Sequence, residues 1–173
     1  MRDRHKPWLT GIAALVATML LLFAGQAIWY TFAVAKPLDT AFAELDGVQA
    51  VVRLEKDPVV LQVTLARAAN IQATYTGLEE QAKEILGKAP FELRIEDNRT
   101  PELTRLYQEL QFPIQEAIAT GRFGDLPGRI RQSCDAAAVT GAVYVDARYV
   151  YLQLAKEGAE LYSVIPRMNA EVR

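Results

Sequence analysis

The sequence predicts an α+β protein: an N-terminal transmembrane helix followed by one antiparallel or mixed sheet with helices packed on it, in the order ββαβ-α-αβββ. Three observations predict this. Trp8 to Ala35 contains no charged residue. Helical stripes fill the middle of the chain, between 76 and 139. Short strand-like runs bounded by turn residues occupy both ends of the chain beyond the apolar run, an arrangement that segregates helices to one part of a sheet protein.

At ~1.5 Å per residue the 8–35 run makes a helix of roughly 40 Å, against a hydrocarbon core of ~30 Å. Arg2, Arg4, His5 and Lys6 precede it, which reads as a cytoplasmic amino terminus with the remainder extracytoplasmic. Ala33-Val34-Ala35 also fits a signal-peptide cleavage pattern, so cleavage after Ala35 is the alternative. The expected organisation is a cytoplasmic tail over 1–7, the span over 8–35, a juxtamembrane linker over 36–47, a domain over 48–167 and a loose tail over 168–173.

The elements of that domain follow from local chemistry. Val48–Leu54 and Val59–Leu65 read as strands around the turn residues Glu55 to Pro58. Thr76 with Glu79 forms a capping-box pattern, and Leu78, Ala82, Ile85 and Leu86 form the apolar stripe of a helix closed by Gly87. Phe91–Glu96 alternates as a strand. Thr100 and Pro101 then open a long helix that Pro113 should kink or divide. A third helix is expected over 125–139, with Gly141 just past its end. Strands at 142–146, 149–155 and 160–165 complete the domain, the last two joined by a Lys156-Glu157-Gly158 hairpin turn.

Charge and composition exclude several functions. Of 19 basic and 21 acidic residues, the first 36 positions hold four basic and one acidic, which leaves the domain with fifteen basic and twenty acidic. A mildly acidic domain does not suit nucleic acid, whose phosphates need concentrated Lys and Arg. The one histidine is His5, so the domain cannot build a Ser-His-Asp triad, a Cys-His pair or an HExxH site from its own residues. No P-loop or dinucleotide fingerprint is present. The one cysteine, Cys134, reads as an inert core thiol on a helix, with an intermolecular disulfide as the alternative. No catalytic residue, cofactor or metal site is expected.

Two constellations stand out. Tyr144, Tyr149, Tyr151 and Tyr162 cluster in the terminal strands. There a Tyr-bearing sheet face could meet a protein partner, because a rigid amphipathic ring loses little entropy on binding. Ordinary strand propensity explains the same residues. Glu96, Asp97 and Arg99 form the densest polar cluster, either a bend held by local pairing or a carboxylate site of the kind glycan hydrolases use.

The segments PFELRIEDNRTPEL (90–103), EAIATGRF (116–123), YVDARYVYLQL (144–154) and ELYSVIPR (160–167) resemble an uncharacterised family of single-pass membrane proteins of Gram-positive bacteria. The resemblance implies placement in the bacterial cell membrane and envelope and supplies neither an activity nor site residues. The expected function is a membrane-anchored, non-catalytic protein-interaction or assembly module of an envelope complex, partnered by an envelope protein or a second copy. The alternatives are a carboxylate-dependent cell-wall glycan hydrolase and a small-ligand sensor.

Overall fold

The computed structural model describes residues 7–30, 36–54 and 58–167. Helices α1 (Pro7–Tyr30) and α2 (Lys36–Ala43) lead into strands β1 (Val48–Leu54) and β2 (Val59–Leu65). Then come α3 (Ile71–Leu86), β3 (Phe91–Glu96), α4 (Pro101–Thr120), α5 (Leu126–Ala136), β4 (Thr140–Val145), β5 (Tyr149–Lys156) and β6 (Ala159–Pro166). The α+β class and the order of elements after α2 are as the sequence reads.

The single sheet is not. The strands form two three-stranded sheets, β1-β2-β3 and β4-β5-β6. In the first, β1 pairs antiparallel with β2 and β2 pairs parallel with β3, with α3 as the crossover. The second is an antiparallel meander. The physical reason for two sheets lies at Asp97 to Arg99. There β3 ends beside β6, and side chains rather than a backbone ladder bridge the gap.

The membrane span expected over 8–35 is also corrected. The helix that forms there ends at Tyr30, and residues 31–35 lie outside the described residues. Among the described residues no helix is long and apolar enough to cross a membrane. The single-pass anchor, and the cell-membrane placement built on it, therefore do not stand. The tails at 1–6 and 168–173, and Asp57 in the β1–β2 turn, lie outside the described residues.

Several element boundaries differ from the sequence reading for identifiable reasons. Helix α3 starts a turn earlier than Thr76, because the Asn70 side chain caps it by accepting from the N–H groups of Gln72 and Ala73. Helix α4 runs unbroken through Pro113, its last turn closed by Gly121 in the left-handed conformation. Helix α5 stops at Ala136, and Ala138 (φ 51°) turns the chain so that β4 begins already at Thr140. Gly141 thus lies inside a strand. A Cβ there would sit 2.2 Å from Cys134 Sγ, so the glycine lets β4 and α5 approach.

The second sheet is buried on both faces. Val150, Leu152 and Leu154 of β5 join Leu161 and Ile165 of β6 in a core with α4 and α5, through Leu106, Leu110, Ile114, Leu126 and Ile130. Tyr151 and Tyr162, on the opposite face, join Leu61, Val63, Leu65, Ile71, Leu78 and Phe42 in a second core. Alternation along β5 is therefore apolar toward one core and aromatic toward the other.

Candidate functional site: a closed seam and an open edge

The tyrosines predicted as a partner surface line the seam between the two cores. Tyr151 and Tyr162 are buried, with 0% and 2% exposure, so neither belongs to a surface that a partner could reach. Tyr144 and Tyr149 are half-buried against the same core. The tyrosines are held inward because the chain supplies its own partner for this face, in α3 and the β2–α3 connector. Tyr149, Tyr151 and Tyr75 of α3 form a three-ring cluster with centroids 5.6 to 5.9 Å apart and edge-on geometry. The Tyr151 hydroxyl donates to Asp146 Oδ2 at 2.7 Å. Burial pushes the Tyr75 and Tyr151 phenols far above their ordinary value, and pushes Tyr162 up to about 12.

An ion pair closes the end of the seam. Glu79 of α3 takes a two-pronged interaction from Arg148, the residue before β5, and a further bond from Lys83 Nζ at 2.9 Å. Burial drives the Glu79 carboxyl up, but the hydrogen bonds from Arg148 and then Lys83 outweigh it and hold the group below the ordinary carboxylate value. Arg148 also lies 5.1 Å from the Tyr149 ring centroid. Asp146 accepts from the N–H groups of Arg148 and Tyr149, 2.7 Å each, and is likewise held low. Neither carboxyl is poised to exchange a proton near neutral pH.

The predicted polar cluster has a structural role. Asp97, whose side chain is 1% exposed, accepts from Tyr162 N at 2.8 Å and from Arg99 Nε and Nη2 at 2.7 Å each. Asn98 accepts from Glu160 N at 2.8 Å and donates to Gly158 O at 3.0 Å. Glu96 is exposed and bonded to Gln62. These residues clasp the outer edge of β6. Among the described residues no three or more His, Cys, Asp or Glu side chains are grouped to hold a metal ion. A cavity of about 300 Å³ between α4 and α5 is lined by Glu116, Arg122, Asp125 and Arg129. Another of about 380 Å³ is lined by Arg67, Thr140, Lys156 and Glu160. Neither includes a residue of the tyrosine cluster or of the Glu79–Arg148 pair.

Sequence reasoning missed the Glu79–Arg148 pair, 69 positions apart. The available signal was a carboxylate next to Leu78 on a helix stripe, which reads equally well as a cap. It also missed β4. This strand lies at the edge of its sheet. Asp146 N donates to Tyr149 O at 3.0 Å, and the register pairs Tyr144 with Tyr151 and Ala142 with Gln153. Antiparallel ladders alternate, so Thr140, Ala142 and Tyr144 point their backbone groups at β5, whereas Gly141, Val143 and Val145 point theirs outward. Among the described residues no hydrogen bond reaches those outward groups. The strand, TGAVYV, carries no charge. No family model matches the chain, and neither does any curated protein or solved structure.

Proposed function

We propose that the chain is a non-catalytic protein-interaction module that docks a partner by strand addition to β4. One observation carries the reading: among the described residues, of the four edge strands in the two sheets, β4 alone is left unguarded. β1 carries an irregularity between Val48 and Ala50. β3 carries Glu92, Arg94 and Glu96. β6 is clasped by Asp97 and Asn98. Charges, bulges and covering groups are how proteins keep an edge from pairing, and β4 has none of them. A row of unpaired backbone donors and acceptors suits recognition of an extended segment.

The glycan-hydrolase reading finds no support in the geometry, since Asp97 is spent inside the clasp and Glu96 is bonded to Gln62. The test is in-cell photo-crosslinking from a benzoylphenylalanine at position 143, with position 115 on the exposed face of α4 as control. The expected result is a protein adduct from 143 and none from 115. Removal of the outward N–H next door, by Val145→Pro, should abolish it. No protein adduct from 143 would refute strand addition.

A further inference from the structure

We infer that the segment pairing with β4 is β4 of a second copy, arranged antiparallel about a two-fold axis through Val143. The inference rests on the interaction proposed for β4 and narrows it to one partner.

The edge is complementary to itself. With Val143 opposite Val143 of the second copy, Gly141 falls opposite Val145 and Val145 opposite Gly141. Those three are the residues whose N–H and C=O groups face outward. In that register every outward group of the strand finds a partner and none is left over. A shift by one residue would set outward groups against inward-facing ones and waste them all. No like charges come face to face, because Thr140 to Val145 carries none. The closest charged neighbour, Asp146, would lie opposite Thr140 of the other copy. Its carboxylate is already occupied by Tyr151, Arg148 and Tyr149 within its own chain.

A foreign extended peptide fits less well. Strand-adding readers combine the backbone ladder with pockets for alternate side chains. The cavity of about 380 Å³ touches β4 only at Thr140, and the one of about 300 Å³ does not touch it. Neither of these cavities follows Gly141 to Val145, so what the edge offers is its backbone and shape, and a chain with the same uncharged, β-branched residues satisfies both. The pairing joins the two meanders into one six-stranded sheet and removes the unguarded edge from both copies at once. One strand of six residues covers far less than the ~800 Å² per partner of a standard interface. The association is therefore weak, and a covalent trap reads it better than sizing at equilibrium.

The register supplies the trap. Ala142 of one copy lies opposite Tyr144 of the other, in a pair that makes no hydrogen bonds of its own, where side chains approach most closely. Full-length Ala142→Cys and Tyr144→Cys chains, differently tagged, are mixed under mild oxidation. The expected result is a disulfide-linked heterodimer from the mixture and little product from either chain alone. Cys134 is 1% exposed and is common to all samples, so it cancels. Adding Val143→Pro or Val145→Pro to both chains deletes an outward N–H that the β4–β5 ladder does not use. Either should abolish the product with unchanged circular dichroism. Absence of the mixed product while both new thiols react with a small reagent would overturn self-pairing. So would equal product from each chain alone. If position 143 then still photo-crosslinks a different protein, the interaction reading survives with another partner. If it crosslinks nothing, both readings fall together.

Discussion

Glu79 shows how a charged side chain enters a core without unfolding it. Its side chain is 11% exposed, yet it is ionised because Arg148 and Lys83 return the hydrogen bonds that water would have supplied. Arg148 is 44% exposed on its own side chain, so the pair is only partly desolvated and the figure for a fully buried bridge does not apply. Glu79→Gln should cost roughly 1–3 kcal/mol near neutral pH, the range for hydrogen bonds to charged groups. The folded carboxyl titrates below its unfolded value. Its contribution is therefore complete above the unfolded carboxylate range and is lost as pH falls through the folded value. Denaturant melts of wild type and Glu79→Gln should converge on acidification. A gap that stayed constant however far the pH fell below the unfolded carboxylate range would show that the ion pair does not contribute. Nothing in the sequence paired Glu79 with Arg148, because the pairing depends on how the second sheet seats on α3.

At the scale of elements, the β6 clasp explains why residues with the composition of a catalytic site are not one. Glu160 and Tyr162 point their N–H groups away from β5, and Asn98 and Asp97 accept from them as a neighbouring strand would. Arg99 neutralises the buried Asp97 carboxylate and donates to Tyr162 O at 3.4 Å. Asp97→Ala strips Tyr162 N–H of its acceptor and takes the carboxylate partner from Arg99, which should cost about 1–3 kcal/mol. It also uncovers a second pairing edge, so loss of solubility on storage should accompany the lower melting temperature. A variant as stable and soluble as wild type would show the clasp to be dispensable. The local content of this region was legible in the sequence: the bend at Asp97 to Arg99, the Thr100 cap and Pro101 all form. What the bend holds was not, since its partners lie more than sixty residues on, 62 from Asn98 to Glu160 and 65 from Asp97 to Tyr162. Gly141 was misread for the same reason, as a helix stop rather than a strand position facing Cys134.

At the scale of the molecule, the two sheets are joined by side chains that treat the β2–α3 connector as if it were another strand. Gln153 of β5 donates to Ala68 O at 2.6 Å and accepts from Ile71 N at 3.3 Å. The Tyr162 hydroxyl accepts from Ala68 N at 3.0 Å, and Glu160 accepts from Arg67 N at 2.5 Å. Apolar packing of Tyr151 and Tyr162 against Leu61, Val63 and Leu78 lies beneath these bonds. Strand and helix order could be read from periodicity, but this seam could not, because tyrosines on an alternating strand look the same whether they face a partner or the other half of their own chain. The connector's backbone depends on the second sheet for its hydrogen bonds, so the first half should not keep its native stability alone. Tyr162→Phe removes one acceptor and Gln153→Ala removes both an acceptor and a donor. Together they should cost about 2–6 kcal/mol if their single effects of about 1–3 kcal/mol add. Hydrogen exchange distinguishes a seam from a general loss of stability. Amides of α3 and β2 should lose protection first in the double variant, while those of α4 and α5, packed on the opposite face of β5, hold theirs. Uniform loss across both cores would mean that the halves unfold as one unit however the connector is tied, and that the seam bonds do not set their coupling.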